Sequence, residues 1–169
     1  MNNRKKTVLI FGIAVYVYIL LSIILFKYIS PLELFKSDRI IYNGCNLVLF
    51  KDLYNHRASA SYNFNSIFGN IILFIPFGIY MTMKNDKVIR NVLYSFMLSL
   101  FFESFQYYFK IGSFDVNDLL LNTIGGIVGI LFYKCLKGVL KKRKANDFII
   151  YSAMVVGVIV VIISVLLYI

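Results

Sequence analysis

The sequence predicts an all-α fold, a polytopic bundle of about five transmembrane helices with a cytoplasmic N-terminus. Three observations carry this. The chain is 60% hydrophobic and 15% charged, against about 45–50% and about 25% for soluble domains. Its apolar residues fall in long uninterrupted runs. Its basic residues gather in alternate connecting segments.

Five segments are long enough to cross a bilayer, which needs about 20 mainly apolar residues. They are Thr7–Ile29, Ile67–Met83, Asn91–Phe109, Asp118–Cys135 and Phe148–Tyr168. The first follows Arg4, Lys5 and Lys6, as a signal peptide would, but it runs on to Phe26 and "KYISPLELF" offers no small-residue cleavage site. It is therefore read as a retained anchor. The fifth is a plain apolar anchor. Between the first two spans, the segment from Ser30 to Ser66 includes "CNLVLFKDLY", too short to span and suited to the interface or to folding back onto the bundle. Three regions result: an anchor with its loop (1–66), a three-helix core (67–136), and a basic cytoplasmic loop with a last helix (137–169).

With the N-terminus inside, the inner segments hold 12 of the 18 basic residues, as the positive-inside rule requires. The run Lys141, Lys142, Arg143, Lys144 then meets the anionic inner leaflet. This distribution accounts for the net charge of +10 without nucleic acid. Cys45 falls outside and Cys135 inside, so no disulfide is expected. His56, the single histidine, reads as a solvated loop residue, and no motif calls for a metal or other cofactor.

Helical spacing organises the polar residues of the middle spans. Ser95, Ser99, Glu103 and Gln106 recur at intervals of four, four and three, giving one stripe on a Phe- and Leu-rich helix. Asp118, Asn122, Gly125, Gly126 and Gly129 share a face of the next, and Gly125 with Gly129 makes a GxxxG for close helix approach. Asn70, Phe74 and Gly78 share a face of the preceding one, near Pro76. An acidic residue at mid-span costs about 2.5–3.5 kcal/mol, so Glu103 should face the bundle. Asn70, Glu103, Gln106, Asp115, Asp118 and Asn122 lie within a turn or two of the outer surface and are expected to form one outward-facing polar pocket. Asp115 and Asp118 suit helix capping equally well, and Asn70 and Asn122 suit interhelical hydrogen bonding.

The order "FGNIILFIPFG", "ESFQ", "FDVNDLLLNTIGGIVG" resembles the VanZ-like family of bacterial membrane proteins, over about Asn46 to Cys135. The resemblance carries Asn70, Phe74, Pro76, Gly78, Glu103, Gln106, Asp115, Asp118, Asn122 and Gly126. The chain departs from it at Gly112, where many relatives have arginine, and at Leu49, where many have proline. The resemblance implies a Gram-positive cell-envelope protein linked to low-level resistance to glycopeptides, above all the lipid-tailed teicoplanin type. The expected role is non-enzymatic: the pocket binds or excludes an amphiphile, a lipoglycopeptide tail or a lipid-linked wall intermediate. The rival is an intramembrane enzyme acting on a lipid or peptide headgroup, with Glu103 and Asp118 as acid and base or metal ligands. A proton-coupled transporter is a third reading, disfavoured because no internal repeat is evident.

Overall fold

In the computed structural model, residues 2–36, 38–50 and 60–168 are described, with backbone alone at 60–65, 165 and 167–168. Lys51, His56 and Arg57, and the last four residues of "CNLVLFKDLY", lie outside the described residues. The elements in chain order are α1 (Asn3–Leu25), a 3-10 turn (Glu33–Phe35), β1 (Cys45–Asn46), α2 (Ala60–Lys84), α3 (Val88–Tyr108), β2 (Phe114–Asp115) and α4 (Val116–Tyr168).

Among the described residues, four helices are long and apolar enough to cross a membrane, and the all-α expectation holds. The qualifying stretch of the last, Val116–Ser164, is 49 residues long, about twice what one span needs. Helical geometry breaks within it at Lys141 (φ 60°, ψ 158°), which divides it into the fourth and fifth expected segments. One expectation is corrected. The basic segment expected as a loop from residue 137 does not form one; it lies in helix on both sides of Lys141. Lysine, arginine, leucine and alanine are all good helix formers, so a charge run marks polarity without marking a turn.

Residues cluster into two compact units, 22–133 and 1–21 with 134–169. Within the second, Lys5 Nζ pairs with Asp147 at 2.6 Å, and Gly157 lies against the Phe11 ring. The remaining features belong to the first unit.

Small residues set the helix spacing there. A Cβ on Gly125 would fall on the carbonyl oxygen of Ile71, one on Gly129 on that of Ile75, and one on Gly78 on that of Gly126. In the first two pairs both partners advance by four along the chain, so α2 and α4 run parallel with their backbones in contact. On α3 the order reverses: Asn122 meets Ser99 and Gly126 meets Ser95, so α3 is antiparallel to α4. The expected glycine face is thus the packing face. Phe74, Phe102, Ile111, Ile130 and Tyr133 are buried with it. Much of the remaining apolar surface is exposed, including Phe101, Met97, Leu131 and Ile72, as suits side chains meeting hydrocarbon.

The end of α3 is closed by a tight turn. Ile111 N–H donates to the Gln106 carbonyl at 3.0 Å and Lys110 N–H to that of Tyr107 at 3.2 Å, with Lys110 left-handed (φ 56°). This is the Schellman arrangement, with lysine where glycine is usual. The Arg39 guanidinium donates to the Phe109 and Lys110 carbonyls at 3.0 and 3.2 Å. The segment after α1 therefore folds back. Tyr42 bridges Ile111, and β1 pairs in parallel with β2, Cys45 opposite Phe114 and Asn46 opposite Asp115. Leu47, Val48 and Leu49 follow this strap and stay exposed.

Candidate functional site

The polar stripe of α3 turns wholly inward. Asn91, Ser95, Ser99, Glu103 and Gln106 are all buried, Glu103 to 1% exposure, while Phe101, Met97 and Leu93 on the same helix are exposed. Hydrocarbon offers a polar group no partner, so each is turned toward neighbours that can bond it.

Each bond recruits a different element. The Asp115 N–H donates to Glu103 Oε2 at 2.9 Å, so the strap that holds β2 in place also holds the carboxyl. The Gln106 amide donates to the Ile24 carbonyl at 2.8 Å, one of the acceptors left open in the last turn of α1. Gly112 presses on that amide: a Cβ there would lie 3.0 Å from Gln106 Nε2. A side chain at 112, such as the arginine of the family pattern, would displace Gln106 from this position. Asp118, in the first turn of α4, accepts from Lys27 Nζ at 3.0 Å and from the Asn70 amide. Asn122 donates to Ser99 Oγ at 2.9 Å.

Asn122 is left incomplete. It is 1% exposed, and its Oδ1 has no hydrogen-bond partner among the described residues. Turning the amide over only exchanges the atoms, because one end alone reaches Ser99. A buried acceptor left open costs about 1–3 kcal/mol, and such groups are rare without a reason.

Beside it lies a cavity of about 260 Å³, lined by Ile23, Ile24, Lys27, Ser66, Gly69, Asn70, Leu73, Glu103, Gln106, Asp118 and Asn122. Five of the six expected site residues therefore share one cavity. Asp115 is the exception. Its backbone holds Glu103, while its carboxylate caps the turn into α4, accepting from the Asn117 N–H at 2.8 Å and from the Asn46 amide at 3.2 Å. Both ligand and capping roles were open in the sequence; the neighbouring strap selects the second for its side chain.

Burial, foremost, raises the Asp115 pKa above the ordinary aspartate value, and the Asp118 charge adds to this, against the hydrogen bonds from Asn117 and Asn46. A raised folded-state pKa means the native state holds the proton over a range where the unfolded state has lost it. Stability then falls as pH rises from the ordinary aspartate pKa to the raised one. Asp115→Asn should flatten that part of a pH–melting profile measured in detergent. An unchanged slope would contradict the assignment.

Lys27, Ser99 and Asn46 were not expected at the site. Lys27 stands among dispersed basic residues in the sequence, although it lies near the end of the first expected span, just after α1. The sequence places Ser99 on the α3 stripe without naming a partner for it. Asn46 had no local signal. Among the described residues, no group of three His, Cys, Asp or Glu side chains is placed to hold a metal ion. Cys45 and Cys135 are both exposed free thiols.

Helices of membrane-spanning length, packed through glycines around buried carboxyl and amide groups, define a helical integral membrane protein with a polar cavity among its helices. The chain belongs to the VanZ/LLP1 family, whose pattern matches residues 13–137. It is similar to protein VanZ of Enterococcus faecium, 32% identical over 121 residues, which cover 62% of this chain and 75% of that protein. No solved structure matches.

Proposed function

We propose that this protein is a multi-pass cell-membrane protein, N-terminus inside, whose cavity opens toward the outer leaflet and binds an amphiphile: a lipoglycopeptide tail or a lipid-linked wall intermediate. Sequestering or excluding such a molecule would give selective protection against lipid-tailed glycopeptides. The observation that carries the reading is the cavity, in which Ile23, Ile24 and Leu73 stand beside Glu103, Asp118 and Asn122. An apolar wall with a few placed polar groups is the usual form of a small-molecule site. Its volume of about 260 Å³ suits a headgroup with a short length of chain, not a whole antibiotic. On the same orientation, the exposed run Lys141, Lys142, Arg143, Lys144 sits at the anionic inner leaflet.

Two variants test this in a susceptible Gram-positive host. At matched membrane levels, wild type should raise the inhibitory concentration of a lipid-tailed glycopeptide and leave that of a tail-less one unchanged. Glu103→Gln removes the ionisable group and should abolish protection. Gly69→Leu should do the same by filling the cavity, since a Cβ there meets nothing within 4 Å. Leucine also favours helix over glycine by about 1 kcal/mol, so the fold should survive. Full protection by Gly69→Leu would refute the cavity as the site. The enzymatic alternative has one observation behind it, two carboxyl groups lining one cavity. Turnover of a lipid headgroup by purified protein, lost in Glu103→Gln, would favour it.

A further inference from the structure

The cavity's hydrogen bonds are unevenly filled, and the imbalance points to the head of the ligand. Two carboxyl groups line it with one lysine, and Lys27 bonds the first of them, Asp118. Asn70 donates to Asp118 as well. Glu103 is held by a neutral backbone N–H. Asn122 offers an acceptor that no described residue fills.

These last two groups are neighbours. Asn122 is bonded to Ser99, and Ser99 and Glu103 are four apart on α3, so their Cβ atoms lie about 5–6 Å from each other on one helix face. A donor placed between Glu103 and Asn122 would complete both. From this, and resting on the amphiphile reading above, we infer that the head of the bound molecule is a primary ammonium seated between Glu103 and Asn122. An ammonium has three donors and no acceptor. It therefore satisfies the amide oxygen and the carboxylate together and supplies the cation that Lys27 gives to Asp118. An anionic head would meet two acceptors and a lysine already bonded. The tail runs along Ile23, Ile24 and Leu73, past the open side of Gly69.

Full-length ¹⁵N-labelled protein in maltoside micelles tests it, with the Asn122 side-chain amide resonance followed at pH 8. The probes are dodecylammonium, dodecanoate and butylammonium, which separate head from tail. The expected result is a saturable shift with dodecylammonium at about tenfold higher affinity than with dodecanoate, the size of one charge-assisted hydrogen bond, and at higher affinity than with butylammonium, which has the same head and lacks the long tail. Glu103→Gln should erase the preference over dodecanoate, and Asn122→Asp, monitored at the Ser99 amide, should enlarge it. If Glu103→Gln does not fold, Asn122→Asp decides, and no gain for the ammonium overturns the inference. Equal binding of dodecylammonium and dodecanoate overturns the ammonium head and leaves the amphiphile reading standing. Equal binding of butylammonium and dodecylammonium keeps the head, makes the source a soluble amine and overturns the amphiphile reading. No saturable shift with any probe overturns both.

Discussion

Gly125→Ala and Gly129→Ala are expected to destabilise the protein by about 3 kcal/mol or more each, or to prevent its accumulation in the membrane. The added methyl would lie on the carbonyl oxygen of Ile71 or of Ile75. Those are backbone atoms of α2 and cannot turn aside as a side chain can, so the whole helix must move. Movement opens the contact on which the cavity depends, since Asn70 and Leu73 of α2 face Asp118 and Asn122 of α4 across it. Gly69→Ala is the internal control. It sits on the same α2, its Cβ meets nothing, and loss of a helix glycine should raise stability by about 0.5–1 kcal/mol. Thermal melting in detergent, followed by circular dichroism at 222 nm, measures all three. Wild-type melting of Gly125→Ala would mean that α2 and α4 do not touch through their backbones.

The second large effect is expected at the Lys27–Asp118 pair. The two side chains are 30% and 16% exposed, well sheltered but not sealed, so removing either partner should cost about 1–3 kcal/mol. Asp118→Lys alone should cost more, because it sets two ammonium groups together beside the Asn70 amide. Lys27→Asp combined with Asp118→Lys should recover most of the loss, with the Asn70 amide turning its oxygen to the new cation. A double-mutant cycle on melting temperature reads the coupling directly. Strict additivity of the two single changes would show that the pair contributes nothing. The cycle also bears on ligand chemistry: with Lys27 withdrawn, an anionic head would lose the lysine that lines the cavity, whereas an ammonium head would face one competitor fewer.

Glu103 shows how far sequence reasoning reaches. Its place on a stripe with Ser95, Ser99 and Gln106 follows from counting residues, and the cost of a carboxyl in hydrocarbon turns that stripe inward. The same counting put Asn70 and Asn122 one turn inside their helices and Gly125 and Gly129 on one face. These are local facts, set by 1.5 Å of rise and 3.6 residues per turn, and the structure agrees on the shared faces; α2 begins at Ala60, so Asn70 lies further along its helix than the counting put it. The basic run at 141–144 was less legible, because lysine and arginine mark polarity and favour helix at once.

Partners were the part that counting could not supply. Lys27 lies 91 residues from Asp118, and Gln106 lies 82 from the Ile24 carbonyl it bonds; no periodicity connects residues so distant. Asp115 could have faced the cavity or capped the turn, and the choice rests on Asn46, brought beside it by two residues of parallel strand. The open acceptor on Asn122 is likewise a property of what fails to arrive there. The sequence by itself determined which side of each core helix is polar, since one helical repeat and the cost of burying charge in lipid suffice for that. Tertiary structure alone decided which polar groups meet and which is left wanting a donor, because a hydrogen bond depends on the full three-dimensional placement of both its ends.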